Sequence, residues 1–167
     1  DNLEEIVTKA VEHAKKAREL TGRADALIAL DLGPTGKLLE PLGDLSFDDA
    51  VDIYAEVIEY GTKAGADVIL IETMQDSYEL KAAVLAAKEH SDLPVCATVV
   101  FDEKGKMLTG GTPESVVALL EGLHIDALGI NCSLGPRQIK PFVERMIQVS
   151  SRPIIVTPNA GLPQTDD

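Results

Sequence analysis

The sequence predicts a parallel α/β fold in which strands and helices alternate. Aromatic residues make up only 4% of the chain and tryptophan is absent, so the apolar content rests on small and branched side chains, which suit buried parallel strands. Short apolar runs alternate with segments of helical period. Each connection between two runs is long enough for a helix, and crossovers of that length force the strands to pair in parallel.

Two architectures satisfy this pattern, an open doubly wound sheet and a (β/α)8 barrel of the TIM type. The chain offers five clear strands, whereas a barrel needs eight strands over about 250 residues. The strand count therefore favours an open sheet or an incomplete barrel. Neither the dinucleotide-binding motif nor the P-loop motif occurs, so nucleotide binding lacks its usual sequence signal.

The first half of the chain reads as helix, strand, loop and helix. Apolar residues at helical spacing predict the first helix, and a wholly apolar run predicts a strand buried on both faces. Glycine and proline interrupt the next stretch, which is a loop. Ser46 followed by Asp49 resembles a capping box. These elements span residues 2–20, Ala26–Leu30, Gly33–Gly43 and Ser46–Gly65.

The second half repeats the strand–helix unit. Asp76 with Glu79 predicts another capping box, and proline just after Thr112 and Gly135 marks the first turn of two further helices. Each helix carries an apolar face toward the sheet. The predicted strands are Val68–Ile71, Pro94–Val100, Ala127–Ile130 and Pro153–Val156.

Composition excludes several classes of function. The 167 residues hold 15 Lys and Arg against 28 Asp and Glu, a formal net charge of −13, which disfavours nucleic acid and anionic membranes as partners. No apolar run approaches the roughly 20 residues of a membrane span. Two cysteines are too few for a disulfide framework, so we expect a cytoplasmic protein.

Without a linker or low-complexity segment, residues 1–167 are expected to form one domain.

Polar residues follow the predicted strands, where parallel α/β folds place their working sites. Asp31 follows the first strand, but the turn beside Gly33-Pro34 favours a role as a backbone acceptor over a role in function. Glu72 follows four apolar residues, and a buried carboxylate is costly without a partner, which favours a ligand contact. Asn131 and Asn159, after the fourth and fifth strands, can each satisfy loop backbone instead.

The two cysteines differ in their surroundings. Cys132 lies at a strand end just before a helix N-terminus, where a thiolate is favoured. Cys96 lies inside an apolar run and is expected to be a small core residue. No histidine follows a strand, so a Cys–His hydrolase is disfavoured. A thiolate suits zinc, but a catalytic zinc ion takes three protein ligands and the residue pattern offers one.

Read together, the strand-end segments resemble the homocysteine S-methyltransferase family, and most closely the homocysteine-binding barrel of its cobalamin-dependent methionine synthases. The resemblance covers nearly the whole chain, and Gly-Ile-Asn-Cys is its most specific part. The segments that carry it are Asp31–Gly36, Ile71–Thr73, Leu80–Ala83, Phe101–Gly105, Leu108–Gly110, Gly129–Pro136 and Pro158–Gly161.

The resemblance implies a TIM-type barrel in which three cysteine thiolates hold zinc and homocysteine binds through its sulfur. Cys132 matches the first zinc cysteine. Glu72 matches a carboxylate that contacts the amino group of the substrate, and Asn131 lies beside the metal and is assigned to substrate binding. The reaction would transfer a methyl group to the homocysteine thiol and yield methionine, with cobalamin, where used, on a separate domain. The resemblance leaves the methyl donor open.

The chain also departs from the family pattern. The adjacent Cys-Cys pair that supplies the other two zinc ligands is missing, and the five strands would be the third to the seventh of eight. We therefore expect the chain alone to be inactive, and its open sheet edges to associate with another copy or with the missing barrel part. Two alternatives are a non-catalytic half-barrel that serves assembly and a pterin-binding barrel enzyme.

Overall fold

A computed structural model describes residues 2–160, within which five helices alternate with five strands. Gly161, the last residue of the Pro158–Gly161 segment, lies outside the described residues. None of the described helices combines the length and apolar character needed to cross a bilayer. The elements are α1 Leu3–Leu20, β1 Ala29–Leu32, α2 Phe47–Ala64, β2 Val68–Met74, α3 Ser77–His90, β3 Val95–Val99, α4 Pro113–Gly122, β4 Ala127–Asn131, α5 Pro136–Val149 and β5 Ile154–Thr157.

The five strands form one parallel sheet in the order β1-β2-β3-β4-β5. A doubly wound sheet reverses its strand order at a switch point, whereas a barrel adds each new strand beside the previous one. The observed order is therefore that of a (β/α) barrel. This confirms the predicted fold class, a partial barrel of five βα units, and excludes the doubly wound alternative.

The two faces of the sheet differ because side chains alternate along each strand. One face packs against the helices and forms the main core, with residues such as Ile69, Ile71 and Leu128 fully buried. The register aligns the intervening residues on the opposite face, which in a closed barrel is the interior. That inner face carries Asp31, Leu70, Glu72, Cys96, Thr98, Gly129, Asn131 and Thr157.

The first strand differs from its prediction. It begins at Ala29 rather than Ala26, and Leu27 is 73% exposed. The carboxylate of Asp67 accepts the backbone N–H of Ile28 at 2.8 Å, and pairing with β2 starts one residue later. Its residues are alternately exposed and buried, so only one face is covered by helices. An apolar run alone cannot distinguish one buried face from two.

Three further expectations need correction. Cys96 is half-buried on the inner face rather than a core residue, and burial raises the pKa of its thiol. Asp76 caps α3 as predicted, but it accepts the N–H of Tyr78, and the side chain of Glu79 turns away from the helix start. The second strand continues through Glu72 and Thr73 to Met74, with an irregular register after Ile71.

Candidate active site at the carboxyl ends of the strands

The sheet brings the predicted site residues to one edge. Asp31 lies near the end of β1, Glu72 near the end of β2, and Asn131 ends β4 beside Thr157 of β5. Cys132 follows directly and donates its backbone N–H to the carbonyl of Thr157 at 3.1 Å. All of these residues belong to the inner face of the sheet or to the rim above it.

Two carboxylates, Asp31 and Glu72, lie close together on this face, and within residues 2–160 no cation offsets the raised pKa of either one. Burial raises the pKa of Glu72, and the negative charge of Asp31 raises it further. Burial also raises the pKa of Asp31, partly offset by a hydrogen bond from the backbone N–H of Leu32. A cation beside Glu72 would offset both of the effects that raise its pKa, because a nearby opposite charge favours the ionised form of a carboxylate. This pair is suited to bind an ammonium group.

Asn131 is the centre of a buried hydrogen-bond network and is only 2% exposed. Its Oδ1 accepts the backbone N–H of Thr73 at 3.1 Å and the hydroxyl of Thr98 at 3.0 Å. Its Nδ2 donates to Thr73 Oγ1 at 2.6 Å and to Cys132 Sγ at 3.4 Å. The amide therefore links the ends of β2, β3 and β4 around the cysteine.

Cys132 has a half-buried, unpaired thiol and an unusual backbone. Its φ is +51°, that of Ser133 is +49°, and that of Thr73 across the rim is +62°. Positive φ is uncommon outside glycine and is a genuine outlier for a β-branched residue such as threonine. Strained residues of this kind cluster at functional sites, where the surrounding contacts hold them in place. The positive φ angles of Thr73 and Cys132 therefore support a functional role for this rim.

A second buried cluster lies behind the rim and was missed by the sequence reasoning. Glu79, 3% exposed, accepts the backbone N–H and the hydroxyl of Thr35 at 2.7 and 2.6 Å, and the hydroxyl of Tyr54 at 3.0 Å. Burial and the charge of Glu79 raise the pKa of Tyr54. The cluster fixes the turn after β1. The sequence does contain one indication of this cluster: Glu79 lies one turn before Ala83, on the face of α3 that packs inward.

The residues that the structure describes do not complete a metal centre. Across 2–160, no three Cys, His, Asp or Glu side chains lie close enough together to hold a metal ion. Cys132 is the one thiol at the rim, whereas a catalytic zinc ion takes three protein ligands. Cys96 lies near the start of β3, at the opposite end of its strand. These residues alone therefore do not fit a zinc ion.

Comparison with known proteins decides the family. The sequence profile described as homocysteine S-methyltransferase matches residues 1–167. The chain belongs to this family. Among curated proteins, methionine synthase from Mycobacterium tuberculosis (strain ATCC 25618 / H37Rv) is 31% identical over 170 residues, which cover 98% of this chain and 14% of that protein. Methionine synthase from Mycobacterium leprae (strain TN) is 34% identical over 137 residues, 79% of this chain and 11% of that protein.

Solved structures of the homocysteine S-methyltransferase family share the fold. The apo form of the homocysteine methyltransferase MmuM from Escherichia coli superposes with a TM-score of 0.82 at 25% identity, covering 95% of this chain and 61% of that one. Its metallated form gives a TM-score of 0.76 at 26% identity, covering 95% and 59%. This chain thus spans about three-fifths of the solved relatives and a much smaller share of the two mycobacterial proteins.

Proposed function

We propose that the chain carries a homocysteine-binding part of a methyltransferase barrel that methylates the homocysteine thiol and yields methionine. The observation that carries the proposal is the grouping of Asp31, Glu72 and Cys132 at one rim of the sheet, in a chain of this family. The carboxylate pair offers an ammonium site, and the cysteine offers a sulfur ligand. A substrate with an amino group at one end and a thiol at the other can bind to the carboxylate pair and to the cysteine site together.

In this proposal each residue has a separate role. Glu72, with Asp31 beside it, binds the amino group of homocysteine, because the paired carboxylates gain from a cation between them. Cys132 supplies one zinc thiolate, and the remaining zinc ligands come from outside the described residues. The partial barrel by itself is then inactive. A cytoplasmic location and a separate cobalamin domain are part of the same proposal.

The role of Glu72 can be tested by calorimetric titration with homocysteine and with 4-mercaptobutanoate, which keeps the thiol and the carboxylate but lacks the amino group. We expect Glu72→Gln to weaken homocysteine binding by about tenfold or more, with no comparable effect on the desamino analogue. Glu12→Gln, at an exposed helical position, is the matched control. Equal binding of both compounds by the wild-type chain would sink the proposed amine site.

The same substitution should stabilise the chain at neutral pH. Because the folded-state pKa of Glu72 is raised, the folded chain carries an ionisation penalty at neutral pH. The penalty shrinks as the pH falls through that pKa and is gone below the ordinary pKa of a glutamate in the unfolded chain. Glu72→Gln removes the penalty, so its urea midpoint at pH 7 should exceed that of wild type, and the difference should shrink in mild acid. A lower midpoint at pH 7 would show that the carboxylate stabilises the fold instead.

Zinc binding provides an independent test. Since one cysteine is too few for a catalytic zinc site, we expect this chain to lose zinc to a competing thiol chelator and to show little or no methyl transfer by itself. Titration with a chromogenic zinc indicator measures this directly. Tight, stoichiometric zinc binding by a monomer of the chain would contradict the assignment of Cys132 as one member of a larger ligand set.

The sheet edges carry a further part of the proposal. Among residues 2–160, β1 pairs only with β2 and β5 only with β4, and Val156 is 39% exposed. Unpaired parallel edges invite pairing with further strands. We therefore expect self-association or binding to the remaining barrel strands, seen as a mass in light scattering that rises with concentration. A constant monomer mass would argue against it.

A further inference from the structure

The amide of Asn131 has no free hydrogen-bonding capacity for a substrate. An asparagine side chain offers two N–H donors and two lone pairs on its oxygen. In this chain two donors, Thr73 N–H and Thr98 Oγ1, reach Oδ1, and two acceptors, Thr73 Oγ1 and Cys132 Sγ, lie within reach of Nδ2. Because the backbone N–H of Thr73 can only donate, the orientation of the amide is fixed. A direct contact with substrate would require one of these bonds to break.

We infer that Asn131 is a positioning residue, a clamp that fixes the direction of the Cys132 thiol and its spacing from the carboxylate of Glu72. The inference rests on the proposed function, since it assigns these two groups to the ends of one substrate. It is an alternative to the prediction that Asn131 contacts homocysteine, and the experiments below distinguish the two. The clamp holds Thr73, the neighbour of Glu72, through two bonds and Cys132 through one.

Strain explains why such a clamp is needed. Thr73 and Cys132 both have positive φ, a conformation that is unfavourable for residues other than glycine and persists only where neighbouring contacts hold it. Asn131 contacts both residues, and Thr98 supports its oxygen from β3. Without the amide, each residue could relax, and the thiol would move relative to Glu72.

The clamp makes a prediction about substrate length. Homocysteine and cysteine differ by one methylene between the thiol and the amino-bearing carbon, so a fixed distance between the two subsites separates them. A site in which this distance is no longer fixed should discriminate less between homocysteine and cysteine. We expect Asn131→Ala to reduce the preference for homocysteine over cysteine by about tenfold, the range expected for one methylene. Exposed Asn2→Ala is the control.

The hydrogen bond to sulfur can be observed without any substrate, by NMR of the ¹⁵N-labelled chain. We expect the Asn131 side-chain NH₂ protons to exchange slowly with solvent, unlike those of exposed Asn159. Cys132→Ala should shift one of the two protons and Cys132→Ser should largely restore it, because serine keeps an acceptor. Cys96→Ala should leave both unchanged. Should Asn131→Ala fail to fold, Thr98→Val provides a milder variant, which removes one donor to Oδ1.

The outcomes separate the clamp from the proposed function. The clamp would be overturned if the Asn131 side-chain protons exchanged quickly with solvent, or if their resonances did not change in Cys132→Ala. Either result would count even if homocysteine binds. The expected resonance pattern in a chain that does not bind homocysteine would support the clamp and sink the function. If the Asn131 side-chain protons exchanged faster after homocysteine is added, the amide would have released its partners for the substrate. That result would support a direct substrate contact and overturn the inference.

Discussion

Replacing Gly129 by alanine is expected to destabilise the chain by more than about 3 kcal/mol. Gly129 lies in β4 opposite Ile155 of β5. A methyl group at this position would collide with the Ile155 backbone, at 2.7 Å from its carbonyl carbon and 2.8 Å from its nitrogen. Backbone atoms cannot rotate away as a side chain can, so β5 would have to separate from β4. Urea unfolding followed by circular dichroism measures the loss.

Gly122→Ala is the matched control for this substitution. An added methyl group there meets no atom within 4 Å, and alanine is about 1 kcal/mol better than glycine inside a helix. We therefore expect Gly122→Ala, at the end of α4, to be neutral or slightly stabilising. If Gly129→Ala unfolded at the same urea concentration as the control, the claim that β4 and β5 leave no room for a methyl group at Gly129 would be contradicted.

The second large effect is expected for Glu79→Ala, a loss of about 3 kcal/mol. Removing the carboxylate leaves the N–H and hydroxyl of Thr35 without their acceptor, and leaves the hydroxyl of Tyr54 only the Gly33 carbonyl at 3.2 Å. A buried polar group without a partner costs about 1–3 kcal/mol. The turn after β1 should also loosen, which amide hydrogen exchange at Thr35 would report.

Glu89→Ala tests the same helix at an exposed position. We expect it to change the free energy of unfolding by less than about 0.5 kcal/mol. Tyr54→Phe should fall between the two, since it removes one of the three donors to Glu79. Similar unfolding midpoints for Glu79→Ala and Glu89→Ala would mean that the buried cluster does not stabilise the turn.

The sequence predicts most of the architecture because its signals are local. Short apolar runs and capping residues such as Ser46 and Thr112 mark the elements, and their helix starts are confirmed. The order of the strands in the sheet is a long-range property. It distinguishes a barrel from a doubly wound sheet, and the residue pattern left both open until the family resemblance favoured the barrel.

The candidate site is harder to predict, because its geometry depends on residues far apart in the chain. Glu72 was selected for a local reason, a carboxylate after four apolar residues. Asp31 was discounted as a turn residue, since only the sheet brings it beside Glu72. The four bonds of Asn131 join three strands, and the left-handed backbone of Cys132 has no local sequence signal such as glycine.

The most direct test of the homocysteine site is to map homocysteine binding by NMR on the ¹⁵N-labelled chain. The proposed site predicts that backbone resonance changes concentrate at Asp31–Gly33, Glu72–Thr73 and Asn131–Ser133, and that they weaken in Glu72→Gln. Changes confined to the opposite end of the strands, around Cys96, would contradict the site, as would saturating homocysteine that leaves the spectrum unchanged.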